Sequence, residues 1–388
     1  MNNFEFFNPV RIRFGKGQIA QLSKLVPDGA NILLTYGGGS IKKNGVYDQV
    51  INALKGFKIS EFGGIEANPH YETLMEAVAL VKANKIDFLL AVGGGSVLDG
   101  TKFIAAAALW EGTDPWDILT RRNKAIIKKA LPIGTVLTLP ATGSEMNGTG
   151  VITKWETKDK LAFGSEYTLP RFSILDPEVV FSLPQIQISN GIVDAFIHVM
   201  EQYLTYPANA SVQDRFAESL LITLIEVGPK VLADRSSYDA AANFMWAATM
   251  ALNGLIGVGV PQDWATHMIG HELTAFHGID HGQTLCIVLP GIMQVKRENK
   301  KEKILQYGER VWNITEGTID ERIDATIEKT VNFFESVGIK TKLSDYGIGS
   351  DIIPKIVNRF VERGMTAMGE RGDLTPDDIA MILELQLK

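Results

Sequence analysis

The first half of the chain alternates short apolar runs with stretches in which apolar residues recur at helical spacing. Residues 71–84 show that helical spacing, and residues 46–55 form a second predicted helix. The apolar runs predict buried strands at residues 32–36, 58–62, 88–92 and 136–139. Strands that alternate with helices predict a parallel sheet covered by helices on both faces.

The pattern changes after about residue 184, where long helical periodicities replace the strand-like runs. The predicted helices are Asn190–Leu204, Ser211–Val227, Ala240–Leu255 and Lys300–Trp312. Pro184 marks the boundary, because proline opens or ends secondary-structure elements. We therefore predict an α/β domain over residues 1–183 and an all-α domain over residues 184–388. The mixed-charge run 297–303 is interpreted as the solvated face of a helix.

Length and composition agree with this organisation. A chain of 388 residues with 45% hydrophobic residues has enough apolar material for two cores. The net charge of −7 argues against binding to nucleic acid or to a membrane surface. The lone cysteine, Cys286, lies in an apolar run and is expected to be buried. Without a long apolar segment at the N-terminus or elsewhere, we expect a cytoplasmic protein.

Two predicted strands end in the same sequence, Gly-Gly-Gly-Ser. The second of these loops, Gly93–Ser96, is followed by the helical pattern Val97–Ala107. Ligands of open α/β sheets bind at the carboxyl ends of the strands, and a helix N-terminus there favours phosphate. The alternative is a pair of tight turns without a ligand. The usual G-x-G-x-x-G fingerprint is absent, so the loops alone indicate a phosphate-bearing ligand and not specifically a dinucleotide.

The first of these loops, Gly37–Ser40, carries information on cofactor choice. Enzymes that use NAD usually place a carboxylate against the ribose, whereas the 2′-phosphate of NADP requires space and donors or positive charge. This loop contains no carboxylate and is followed by Lys42 and Lys43. It therefore favours NADP(H), unless the two lysines are simply exposed to solvent.

Histidines are concentrated in the second half of the chain. Asp194 and His198 are four residues apart on a predicted helix, and His267 and His271 repeat that spacing. His277 and His281 repeat it again. One aspartate with three histidines is a suitable ligand set for a divalent metal such as Zn²⁺ or Fe²⁺. Spacing alone does not decide which four groups converge, and a lone histidine is more often a hydrogen-bonded core residue.

At this point the chain resembles the iron-containing (group III) alcohol dehydrogenases, most closely their NADPH-dependent aldehyde reductase and butanol dehydrogenase branch. The segments that carry the resemblance are YGGGSIKKNGVYDQV (36–50), FGGIEANP (62–69), LLAVGGGSVLDGTKFIA (89–105), LTLPATGSEMN (137–147), NGIVDAFIHVMEQY (190–203), GVPQDWATHMIGHELTAFHGIDHGQTLCIVLP (259–290) and ERVWNITEG (309–317). The resemblance implies a Rossmann-like parallel-sheet domain followed by an all-α domain, the fold of dehydroquinate synthase.

The resemblance also implies roles for individual residues. The metal ligands would be Asp194, His198, His267 and His281. The residues at the NADP(H) cofactor would be Gly38, Ser40, Asn68, Gly94, Gly95, Ser96, Asp99, Thr138, Thr142, Asn147 and Lys160. His271 matches a position beside the nicotinamide, and His277 is expected at the substrate cleft; both are candidate catalytic residues.

The expected reaction is hydride transfer between NADP(H) and a small alcohol or aldehyde, with one divalent metal acting as Lewis acid on the carbonyl oxygen. The resemblance further implies a homodimer that joins through an edge strand near residues 10–14. Two alternatives stay open. One is a polyol dehydrogenase of the same fold, similar to glycerol dehydrogenase, and the other is a metal- or nucleotide-binding sensor without catalysis.

Overall fold

The computed structural model describes residues 1–120 and 127–388. The strands are β1 (Arg11–Phe14), β2 (Asn31–Thr35), β3 (Lys58–Phe62), β4 (Phe88–Gly94), β5 (Ile133–Leu139), β6 (Thr149–Lys154), β7 (Asp159–Gly164) and β8 (Phe172–Leu175). The α-helices are α1 (Ser40–Lys43), α2 (Val46–Ala53), α3 (Tyr71–Asn84), α4 (Gly95–Ala108), α5 (Asp117–Thr120), α6 (Gln185–Tyr203), α7 (Ser211–Ala233), α8 (Tyr238–Ala251), α9 (Ala265–His277), α10 (His281–Val295), α11 (Lys301–Trp312), α12 (Ile319–Ser336), α13 (Ile352–Glu362) and α14 (Pro376–Glu384).

The chain divides into two compact units. The α/β unit comprises residues 7–184 and 235–253, and the helical unit comprises residues 1–6, 185–234 and 254–388. The predicted parallel sheet and the predicted all-helical second half are both confirmed. The domain limits 1–183 and 184–388 stay a prediction, since the compact units are discontinuous in sequence.

A parallel sheet forms the centre of the α/β unit. Among the described residues, six strands pair in the order β1-β8-β5-β4-β2-β3, and every pairing is parallel. The predicted strands lie in β2, β3, β4 and β5. Burial explains why these strands are recognisable as continuous apolar runs: residues Phe88–Val92 of β4, for example, are all buried in the middle of the sheet. All the glycine loops that follow these strands consequently lie along one edge.

The helical unit is built around apolar helix faces. Ile269 and Leu273 of α9 and Ile287 and Val288 of α10 share one buried cluster with side chains of α13 and α14. Cys286 is fully buried on α10, as the sequence predicts. In the described part of the chain, every helix is too short or too polar to cross a membrane.

One surface prediction is wrong. The run 297–303 was expected to face solvent, yet the side chains of Lys300 and Lys303 are each only 4% exposed. Both ammonium groups are paired with carboxylates, Lys300 with Asp263 and Lys303 with Asp214. The two buried lysines are three residues apart on one helix face, and the sequence around them contains no signal for the carboxylates that compensate their charge.

Candidate metal centre and cofactor loops

The predicted metal ligands lie on three helices of the helical unit. Asp194 and His198 are on α6, His267 is on α9, and His281 is the first residue of α10. Gly282 permits this approach, since a Cβ there would lie 2.7 Å from the backbone oxygen of Asn190 on α6. The first turn of α10 is thereby held directly against the helix that carries Asp194.

Three imidazoles lie around one carboxylate oxygen of Asp194. Asp194 Oδ1 lies 3.5 Å from His198 Nδ1, 3.9 Å from His267 Nε2 and 3.8 Å from His281 Nε2. His198 Nε2 and His267 Nε2 are 3.1 Å apart. In a tetrahedral site with metal–ligand bonds of about 2.1 Å, neighbouring ligand atoms are about 3.4 Å apart. One ligand atom each from Asp194, His267 and His281 lie within 4.8 Å of one another, a spacing that suits one metal ion. His198 adjoins this triad but faces Asp194 with Nδ1 and His267 with Nε2, so its place as the fourth ligand stays a prediction.

The chemistry of these donors also fits a cation. Asp194 is 4% exposed, and its Oδ1 atom has no hydrogen-bond partner among the residues that the structure describes. A buried carboxylate oxygen without a partner is costly, and a bound cation removes that cost. Burial also lowers the pKa of His198, which favours the neutral imidazole that donates its lone pair to a metal.

Glu201 is a candidate site residue that the sequence analysis did not include. Its carboxylate accepts the backbone N–H of His267 at 3.0 Å and pairs with His267 Nδ1. When Glu201 is ionised, it accepts from Nδ1–H and leaves the lone pair of Nε2 facing Asp194. A signal was present, because Glu201 follows Asp194 by seven residues and His198 by three on the same helix face.

The two candidate catalytic histidines differ in position. The His271 ring lies 5.0 Å from the ring of His281 and 6.2 Å from that of His267, so His271 adjoins the candidate metal centre. His277 is exposed at the last residue of α9, where its electrostatic effect falls on Asp351. The catalytic roles of both residues stay predictions.

The predicted cofactor residues lie in the α/β unit, mostly at the carboxyl ends of its strands. Gly38 and Ser40 follow β2, whereas Gly94 and Gly95 join β4 to α4. A Cβ at Gly95 would lie 2.6 Å from Thr142 Oγ1, so a larger residue would displace the loop after β5. The backbone N–H of Asn68, a residue in the left-handed conformation, donates to Ser96 Oγ at 3.3 Å. These contacts bring three of the strand-end loops together.

Buried polar side chains next to these loops form a hydrogen-bonded network. Lys102 donates to Ser144 Oγ at 2.7 Å, to Asn147 Oδ1 at 3.0 Å and to the Thr149 carbonyl at 2.7 Å. Asp99 accepts from Ser144 Oγ at 2.6 Å. Burial lowers the pKa of Lys102 to about 8 and raises that of Asp99. Lys102 and Ser144 were not among the predicted site residues, and both order the loop after β5.

Asn147 is a predicted cofactor residue, and its side-chain amide forms hydrogen bonds within the protein. Its Oδ1 accepts from Lys102 and from the Thr149 backbone, and its Nδ2 donates to the carbonyls of Gly143 and Leu252. These bonds favour an indirect role in shaping the loop. Thr138 in β5 and Lys160 in β7 complete the predicted set. The charge of Lys160 partly opposes the rise that burial causes in the pKa of Asp99.

Comparison with known proteins identifies the family. Residues 9–177 match the family described as iron-containing alcohol dehydrogenase, and residues 188–387 match the C-terminal region of the Fe-containing alcohol dehydrogenase family. The chain belongs to the iron-containing alcohol dehydrogenases. It is therefore an oxidoreductase, and the alternative of a sensor without catalysis is set aside.

Individual relatives refine this assignment. The chain is 60% identical over 385 residues to the NADPH-dependent aldehyde reductase YqhD of Escherichia coli, covering 99% of each chain. It is 43% identical over 392 residues to a probable NADH-dependent butanol dehydrogenase of Bacillus subtilis, covering 100% of each. The crystal structure of E. coli YqhD superposes with a TM-score of 0.97 at 59% identity and 99% coverage of each chain. Relatives named for NADH and for NADPH are thus both similar to this chain over its whole length.

Proposed function

We propose that this protein reduces small aldehydes with NADPH and uses one divalent metal ion, Fe²⁺ or Zn²⁺, held by Asp194, His198, His267 and His281. The observation that carries the proposal is the buried Asp194 oxygen, which lacks a hydrogen-bond partner among the described residues and is surrounded by three imidazoles. The substrate class is supported by the name of the aldehyde reductase that is 60% identical to the chain.

The chain's own residues have distinct tasks in this proposal. The metal, when bound, supplies a Lewis acid for the carbonyl oxygen, and NADPH supplies the hydride. Asp194 provides negative charge at the centre of the imidazoles. Glu201 fixes the orientation of His267 through two contacts. Trp264 packs with its ring 5.5 Å from that of His267 and 6.2 Å from that of His198, which limits water around these ligands.

The preference for NADPH rests on the loop after β2. Gly38 leaves open space where its side chain would stand, because a Cβ there meets no atom within 4 Å. Ser40 offers an exposed hydroxyl at the start of α1. Neither residue carries a negative charge that would repel a 2′-phosphate. Because relatives named for NADH are also similar to this chain, kcat/KM with NADPH compared with kcat/KM with NADH tests this preference, and we expect NADPH to be favoured.

Metal removal combined with a substrate panel tests the function. We expect metal-free protein to lose NADPH oxidation with butanal and to regain it with Fe²⁺ or Zn²⁺, because the carbonyl is not polarised without the ion. Absorbance of NADPH gives the rate, and elemental analysis verifies metal content. The panel includes glycerol with NADP⁺ and NAD⁺. Full aldehyde reduction by verified metal-free protein would contradict the proposal, and a strong preference for glycerol would support the polyol dehydrogenase instead.

We further propose a homodimer and a cytoplasmic location. Strand β1 lies at the edge of the described sheet, so one side of its backbone is open to pair with a second copy. The buried free cysteine is compatible with a reducing compartment. Light scattering should give twice the chain mass of 42.6 kDa, and a monomer at assay concentrations would refute the dimer.

A further inference from the structure

The end of strand β3 carries a carboxylate, Glu61, that contacts side chains on both sides of the first glycine loop. Lys42 Nζ lies 3.2 Å from Glu61 Oε2. The hydroxyl of Tyr36 donates to the same oxygen at 3.1 Å, and the hydroxyl of Tyr47 donates to Glu61 Oε1 at 2.5 Å. One carboxylate is therefore held by three side chains from the β2–α2 segment.

This cluster adjoins the loop proposed to receive the ribose of the cofactor. The register of β2 and β3 places Glu61 opposite Leu34, three residues before the loop begins. The backbone of Tyr36 donates to the Phe62 carbonyl at 3.0 Å, and Gly64 donates to the Gly37 carbonyl at 3.0 Å. In dinucleotide-binding folds, a carboxylate near such a loop binds the ribose diol of NAD and disfavours the 2′-phosphate of NADP. An uncompensated Glu61 would bias the loop toward NADH.

The negative charge of Glu61 is compensated by the ammonium group of Lys42. The ammonium of Lys42 lies 4.8 Å from the ring centre of Tyr36 and 4.7 Å from that of Tyr47, which holds the cation between two aromatic rings. Hydrogen bonds with Tyr36 and Glu61 raise the pKa of Lys42. Burial opposes ionisation of Glu61, but hydrogen bonds from Tyr47, Lys42 and Tyr36 outweigh it and lower its pKa. Both partners are thus ionised, and the pair has no net charge.

We infer that Lys42 determines cofactor specificity by neutralising Glu61, which allows the loop Gly37–Ser40 to accept the 2′-phosphate of NADPH. The inference rests on the proposed function, because it requires NADPH to bind at this loop. It replaces the simpler expectation that Lys42 contacts the phosphate itself. Lys42 acts through Glu61 and is a positioning residue, so its effect must depend on whether Glu61 is present.

The test compares Lys42→Met with the double variant Lys42→Met/Glu61→Gln. Repulsion between an exposed carboxylate and a phosphate predicts that Lys42→Met weakens NADPH binding about five- to tenfold, while NADH binding changes less than about twofold. The double variant should recover wild-type affinity for NADPH within about twofold. Dissociation constants from nucleotide fluorescence and KM values should show the same pattern, with kcat unchanged. Lys55→Met, which removes an exposed lysine of the same unit, is the matched control.

Four outcomes would overturn the inference. If the double variant binds NADPH as weakly as Lys42→Met, Lys42 contacts the phosphate directly. If NADPH and NADH weaken equally, Lys42 has only a structural role. If wild-type protein binds NADPH and reduces aldehydes while Lys42→Met keeps the same preference, this inference fails and the proposed function survives. Wild-type protein that binds neither nucleotide would refute both.

Discussion

Asp194→Asn should abolish metal retention and reduce aldehyde turnover by at least about a thousandfold, the scale expected when a Lewis acid is lost from a reaction that depends on it. The carboxylate oxygen of Asp194 is the atom around which the three imidazoles are arranged, at 3.5 to 3.9 Å. Asparagine keeps the size of the side chain and removes its negative charge. A neutral amide oxygen is a weak partner for a divalent ion among three neutral imidazoles.

Stability measurements distinguish this effect from misfolding. In the metal-free state the variant should be at least as stable as the wild type, because a buried carboxylate oxygen without a hydrogen bond is replaced by an uncharged group. Metal at 100 times its Kd should stabilise the wild type by about 2.7 kcal/mol and should leave the variant unchanged. Thermal unfolding with and without Zn²⁺ measures both quantities.

The matched control is Asp28→Asn, which removes one exposed negative charge in the α/β unit. It should retain metal, activity and the stabilisation by Zn²⁺. A variant Asp194→Asn that binds one equivalent of metal with wild-type affinity would contradict the ligand assignment. The same variant unfolded without metal would show that Asp194 is needed for folding and not specifically for the ion.

The spacing of polar residues along the sequence predicts only part of the candidate metal centre. Asp194 and His198 are detectable because a four-residue interval on an apolar helix places two polar groups on one face. The convergence of His267 and His281 depends on how α9 and α10 pack against α6, and the packing is decided in part by Gly282. Local periodicity contains no such tertiary information, and only the family resemblance selected these four residues.

The helical pattern of α8 illustrates a different limit. The sequence predicts a helix over Ala240–Leu255, and α8 spans Tyr238–Ala251. Its periodicity resembles that of the neighbouring helices, yet it belongs to the α/β unit. The reason lies in long-range contacts such as the hydrogen bond from Thr249 Oγ1 to the buried Glu145 at 2.5 Å. Amphipathic spacing shows that a helix has an apolar face, but it does not show which core that face covers.

Charge patterning failed at Lys300 for the same reason. Its ammonium lies 2.9 Å from Asp263 Oδ2 and 2.7 Å from Glu370 Oε2, and it donates to the Leu204 carbonyl at 2.9 Å. The partners come from three separate segments of the helical unit. A run of mixed charges is usually solvated because lysine is costly to bury, and the sequence does not reveal that two distant carboxylates meet this cation.

Lys300→Met should consequently destabilise the protein by about 3 to 5 kcal/mol, the cost of removing one partner from a buried ion pair. Methionine fills similar volume but leaves two largely buried carboxylates uncompensated. Burial already raises the pKa of Glu370 in the wild type, and loss of the cation should raise it further in the folded state. The folded variant then binds more protons than the unfolded chain, so its stability deficit should grow as pH rises and shrink toward acidic pH.

The adjacent lysine provides the control for this variant. The side chain of Lys301 is 38% exposed and pairs with Glu298 at 2.8 Å on the surface, so Lys301→Met should cost at most about 1 kcal/mol. Urea unfolding of both variants at neutral and acidic pH measures the difference. Asp263 also accepts the Ala265 N–H at 2.9 Å, and its backbone donates to the Glu201 carbonyl at 2.8 Å. Loss of Lys300 should therefore also weaken metal binding, because the start of α9, which carries His267, is no longer anchored; equal stability and metal affinity in the two variants would refute this account.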